Sequence, residues 1–157
     1  LFSDLTQVIN IDFSNLDTSL TTNMRAMFQH CSNLEELDVS NFNTSNVETM
    51  DAMFYNAGYN SEIFNIDTSN FDVTKVKKIG SMFNGAGYNS TKLSTSITIN
   101  KNNFANKYDY SNIFKNVAIK PGTGITVNYT SETSDLVDQM IATKSLSSKV
   151  VKGVQVD

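Results

Sequence analysis

The dipeptide Met27-Phe28 returns as Met53-Phe54, then as Met82-Phe83 and, more weakly, as Ile113-Phe114, at offsets of 26, 29 and 31 residues. Recurrence at a nearly fixed period constrains a fold more than local propensity does, because a short unit can bury its apolar side chains only against neighbours of its own kind. Other positions keep step. Ile11, Leu37, Ile66 and Ile97 form one apolar column, Phe13, Val39, Thr68 and Ile99 the next, and Leu16, Phe42 and Phe71 a third, with Phe104 two positions late. Counting back 26 residues from Met27-Phe28 reaches Leu1-Phe2, so the chain is expected to open inside a unit, with at least one further unit upstream.

Within each unit the apolar period changes. Leu37-Asp38-Val39-Ser40 alternates, which predicts a short strand with Leu37 and Val39 inward and Asp38 and Ser40 in solvent. Val47, Met50, Met53 and Phe54 then recur at spacings of three and four, the stripe of a short helix or 3₁₀ segment. Ser45 and Glu48 have the spacing of a capping box for its start. One strand per unit, always in the same direction, predicts a parallel sheet backed by short helices. The expected fold class is α/β: a solenoid of short parallel strands, one per repeat, backed by short helices or 3₁₀ turns.

Past residue 91 the copy decays. Leu93, Ile97 and Ile99 still read as a strand, and Ile125 to Tyr129 as another after the turn cluster Lys120-Pro121-Gly122-Thr123-Gly124. Leu136, Val137, Met140 and Ile141 share one helical face behind Thr133-Ser134-Asp135, and Val150 to Val156 suggests a last strand. Residues 1–117 are therefore read as about four repeats and residues 118–157 as a C-terminal cap of the same domain.

At these units the chain resembles a known family. The segments FSNLDTSLTTNMRAMFQHCSNL and VSNFNTSNVETMDAMFYNAGYN are similar to the roughly 25-residue repeats of BspA-like leucine-rich-repeat surface proteins. The similarity is close over about residues 1–90 and weak over 91–117. It implies a leucine-rich-repeat-like solenoid on an extracellular, cell-surface-anchored protein, bacterial or from a parasitic protist, with a role in adhesion or in binding a protein, host-surface or matrix ligand. The alternative expectation is a structural stalk that holds another domain away from the surface.

Charge is divided along the chain. Residues 1–74 carry eleven acids against Arg25, whereas residues 75–157 carry eleven lysines against five acids. Charge-mediated self-association is a third expectation. No apolar run approaches the ~18 residues of a spanning helix, so membrane insertion by this segment is not expected. One cysteine excludes an internal disulfide, and one histidine leaves little for a metal site. No catalytic constellation, cofactor motif or metal-ligand spacing is legible, and no nucleic-acid partner is expected. Cys31, matched by Ala57 and Ala86 in later units, reads as a small core residue.

The residues that the repeat leaves free are the candidates for ligand binding. Asp12, Asp38 and Asp67 form an outward column on the expected sheet, and Ser14, Ser40 and Ser69 form another. Like charges one strand apart repel, so the acidic column is either solvated or neutralised by a cation or basic partner. Asn15, Asn41 and Asn70 read as a structural column serving the bend after each strand. Tyr59 and Tyr88, in the twin segments Ala57 to Ser61 and Ala86 to Ser90 that are expected to project as loops with glycines at positive φ, read either as aromatic anchors for a ligand or as lids packed over the ends of the core.

Overall fold

Phenylalanine organises the interior. In the computed structural model, which describes residues 2–157, Phe2, Phe28, Phe54, Phe83 and Phe114 form a stacked row. Neighbouring ring centroids lie 5.9, 5.7, 5.6 and 6.1 Å apart, with interplanar angles of 7°, 6°, 20° and 14°. Phe13 and Phe42 pack edge-on and tilted against Phe28, and Phe71 tilts against Phe54. The core around this row includes Met24, Met50, Ile79, Leu37, Val39, Ile66 and Leu93.

The parallel arrangement expected from the repeats is present. Strands β1 (Glu36–Leu37) and β2 (Asn65–Ile66) pair in parallel, Glu36 opposite Asn65 and Leu37 opposite Ile66, and Asn10 bridges Glu36 in the same sense. A second sheet holds β3 (Ser94–Ile99), β4 (Gly124–Tyr129) and β5 (Val150–Gln155), all parallel, in that order. The fold is thus a mixed α/β arrangement of two small parallel sheets with little helix.

Two expectations are corrected. The apolar columns pair Ile66 with Ile97 and Thr68 with Ile99, but the junction between β2 and β3 is set differently. Ser94 N donates to Asn65 Oδ1 at 3.4 Å, and Thr68 N donates to Thr95 Oγ1 at 2.9 Å. The Thr68 hydroxyl in turn reaches the Ser96 carbonyl at 3.0 Å. Buried threonine hydroxyls replace main-chain pairing here, which is why the strands fall into two sheets.

The segments expected behind β1 and β2 as short helices or 3₁₀ turns form runs of turns and no helix. Helix α1 (Ser134–Ile141) is the α-helix of the described residues, and Lys107–Tyr110 and Ser131–Thr133 are 3₁₀ turns. Residues 24–31 instead divide their amides. Met24, Ala26, Phe28 and His30 donate to Thr49, Asp51, Met53 and Tyr55 of the next unit at 2.8–2.9 Å, whereas Met27, Gln29 and Cys31 donate three residues back. The same alternation links residues 50–57 to 78–84, and 79–86 to 109–115. An α-helix would spend every amide inside its own unit; here half of them join unit to unit. The alternation needs a left-handed residue at every fourth position, and Ala26, His30, Ala52, Asn56, Ser81 and Gly85 all have φ between 53° and 72°. Their amides are among those that cross to the neighbour, so backbone pairing offsets a cost of roughly 1–2 kcal/mol per non-glycine residue.

Polar side chains close the corners. Thr18 Oγ1 accepts from Asn43 N and donates to Asn43 O, and Thr44 does the same for Asp72; both threonines are buried. Asn41 Nδ2 donates to Phe13 O at 2.8 Å and Asn70 Nδ2 to Ser40 O at 3.1 Å, the bend-satisfying role expected of that column. Ser45 and Glu48 form no capping box: Asn43 Oδ1 accepts from Ser45 N, and Glu48 pairs with Lys77 at 3.1 Å.

The C-terminal elements follow their sequence pattern. Helix α1 buries Leu136, Val137 and Met140, and it sits where earlier units have their turns, with Phe114 N reaching Thr143 Oγ1 and Tyr110 Oη reaching Gln139 Oε1. No helix of the described residues is long and apolar enough to cross a membrane.

Candidate functional site

The expected acidic column exists as an exposed row just beyond the short strands. Asp12, Asp38 and Asp67 are exposed, and each carboxylate accepts the amide of the serine two residues on, from Ser14 at 2.8 Å, Ser40 at 2.9 Å and Ser69 at 2.9 Å. Each Asp-x-Ser is therefore a closed local turn. The amide and hydroxyl of Ser14 hold the Asp12 carboxyl below the usual range, and the hydroxyls and amides of Ser40 and Ser69 do so for Asp38 and Asp67. Asp38 also pushes Asp12 upward, but more weakly than Ser14 pulls it down. Repulsion between stacked acids is thus outweighed by local hydrogen bonding. Among the described residues, no three His, Cys, Asp or Glu side chains converge as a metal site would require.

Asp12, Ser14, Asp38 and Ser40 line one groove of about 550 Å³ together with Asn10 and Glu36. Asp67 and Ser69 lie outside its lining. The groove continues, through Asn10 and Glu36, into a hollow of about 450 Å³ lined by Ile9, Glu35, Ile63, Asn65 and Lys92. Ile9 and Ile63 are 56% and 49% exposed there. A further hollow of about 510 Å³ shares Ile9, Glu35 and Ile63 and adds Glu62.

Glu35, Glu36 and Glu62 are candidates that repeat-based reasoning passes over. The column through Glu36 reads Asn10, Glu36, Asn65, chemically mixed and so silent to a search for repeated residues. The alternation of the strand did contain the signal, since Glu36 precedes the inward Leu37 and must face out. The ion pairs of the described residues, Arg25–Asp51, Lys77–Glu48 and Lys152–Asp138, involve none of the carboxylates in these hollows.

Tyr59 and Tyr88 come together, but not on projecting loops. Their rings stack face to face, centroids 4.7 Å apart and 9° from parallel, each half-buried. The twin segments are drawn in by the amide ladder: Gly58 N donates to Cys31 O, Gly87 N to Ala57 O, and Ser90 Oγ to Phe64 O. Gly58 and Gly87 do have positive φ, 58° and 54°. One face of each tyrosine is therefore covered by the other.

Cys31 and His30 lie outside the lining of these hollows. Cys31 is buried and its thiol points to Phe2 O at 2.9 Å, and burial pushes that thiol up. His30 packs edge-on against Tyr55, and its one side-chain hydrogen-bond partner among the described residues is Asn56, 3.4 Å away.

A family model described as "Mycoplasma protein of unknown function, DUF285" matches residues 1–122. The chain belongs to the DUF285 family. The match covers the repeats, β3 and the 3₁₀ turn Lys107–Tyr110, and ends just before β4. No curated protein and no solved structure matches the chain.

Proposed function

We propose that this DUF285 chain is a non-catalytic module of a cell-surface protein, a BspA-like leucine-rich-repeat solenoid whose exposed strand face binds a protein, host-surface or matrix ligand. One observation carries the reading: Asp12, Glu35, Glu36, Asp38 and Glu62 line adjoining hollows and have no cationic partner in an ion pair of the described residues. Exposed Ile9 and Ile63 in the same hollows add apolar anchorage. A surface of this kind favours a partner presenting lysine or arginine beside apolar side chains, and it repels nucleic acid. Location outside the cell and anchoring to its surface rest on the repeat resemblance.

The test is the triple variant Glu35→Lys, Glu36→Lys, Glu62→Lys. These glutamates make no side-chain hydrogen bond in the described residues, whereas Asp12, Asp38 and Asp67 hold their own turns, so the variant changes charge without opening a corner. Adhesion to cells or matrix is expected to fall and to lose its salt dependence. Unchanged adhesion would favour a structural spacer, a reading supported by how many outward groups are spent internally, in the Asp-Ser turns and the Tyr59–Tyr88 stack. Self-association through the acidic first half and the lysine-bearing second half is a further reading, and sedimentation at low and high salt separates it.

A further inference from the structure

The fourth unit departs from the others at two neighbouring positions. The backbone ladder joins Thr22, Glu48 and Lys77 in one outward column and Met24, Met50, Ile79 and Tyr110 in the inward column beside it, and Tyr108, two residues before Tyr110 as Lys77 is before Ile79, takes the corresponding outward place. Tyr110 keeps its ring in the core, while its hydroxyl emerges to donate to Gln139 Oε1 at 2.8 Å. Tyr108 stands where every other unit has a polar side chain and is 73% exposed. Its ring has no aromatic partner among the described residues, and the Lys107 ammonium lies 5.7 Å from the ring centroid.

These residues border a hollow of about 400 Å³ between the fourth unit and helix α1, lined by Lys107, Tyr108, Tyr110, Asn112, Gln139 and Thr143, among others. None of its lining is shared with the strand-face hollows. With its carbonyl oxygen held by Tyr110, Gln139 has its amide NH₂ left to donate, and no hydrogen bond of the described residues engages the Asn112 side chain. The hollow is therefore lined by an exposed aromatic ring, two amides and an ammonium. Flat apolar contact combined with several donors and acceptors suits a pyranose ring, whose C–H face stacks on an aromatic ring while its hydroxyls are read by amides. A polyproline segment would want further exposed rings in a row, and Tyr110 is buried.

We propose that the hollow between Tyr108 and Gln139 is a saccharide-binding site that takes a single hexose unit, separate from the strand face. The experiment is a titration of the ¹⁵N-labelled chain with methyl β-D-glucopyranoside, methyl β-D-galactopyranoside and N-acetylglucosamine up to about 50 mM, read at the side-chain amides of Asn112 and Gln139. Saturable millimolar shifts are expected with at least one sugar, weakened roughly tenfold in Tyr108→Ala and retained in Tyr108→Trp. Gln139→Ala serves as a second variant with the same expected loss, should Tyr108→Ala fold poorly. Three results would overturn the proposal: no saturable shift with any of the sugars, shifts that persist in both alanine variants, or shifts at these amides with a proline-rich peptide alone.

Discussion

Asp38 serves its own backbone before it can serve a partner, and that fixes its pH behaviour. Ser40 holds its carboxyl below the ordinary value, as Ser14 and Ser69 do for Asp12 and Asp67. A group with a lowered folded pKa contributes stability that is fully present above the ordinary carboxylate value of about 4, and that contribution is lost as pH falls through the folded value. Thermal melts should therefore show stability falling below about pH 4, and Asp38→Asn, which cannot ionise, should show a shallower fall than the parent. A parent and variant with superimposable acid limbs would count against the Asp-Ser turns as its cause. Gly58 is a second residue-scale case. Its φ of 58° is paired with close packing, for a Cβ built there would lie 2.0 Å from Phe64 Cγ. Gly58→Ala should thus cost more than the 1–2 kcal/mol of a left-handed alanine alone, about 3 kcal/mol or more by denaturant titration. Cys31→Ala, by contrast, should be mild, because Ala57 and Ala86 occupy the same buried column.

At the level of elements, the junctions between units carry the polar risk. Thr44 satisfies both the amide and the carbonyl of Asp72 from a buried position. Thr44→Val keeps the shape but leaves both groups without that partner, so a loss of about 1–3 kcal/mol is expected, with faster hydrogen exchange at the Asp72 amide. Unchanged exchange at that amide would show the side chain to be dispensable. These junctions also explain where the sequence was and was not legible. Apolar columns, strand direction, positive φ at Gly58 and Gly87, and the α1 stripe all follow from residue type and spacing. The turns behind β1 and β2 do not, because Met50, Met53 and Phe54 show the same spacing in a helix as in a three-residue turn that sends alternate amides outward. The β2–β3 register was hidden for a related reason: Thr95 is buried and replaces a main-chain partner, yet by type it counts as polar. In the candidate site, the repeated aspartates were visible and the glutamates beside them were not, since Glu36 stands between two asparagines in its column.

For the whole molecule, the stacked phenylalanines imply that stability is shared along the row. Phe54 is fully buried and touches rings on both sides. Phe54→Ala should lower stability by about 3–5 kcal/mol. It should also do so without splitting the unfolding transition, because the amide ladder couples the units on either side. Two separate transitions in calorimetry would show that the ladder is weaker than the ring contacts.

The alternation of amides has a consequence for how the chain reaches this state. A unit that keeps only half of its amides cannot form alone, so the smallest viable nucleus is a pair of units. Each addition then closes a loop of similar length, 26 to 31 residues, and finds a ready edge to zip onto. Folding should advance by annealing from such a pair towards both ends. Helix α1 does not share its amides alternately with a neighbouring unit, but at eight residues it is too short to persist alone and must also wait for the unit it packs against.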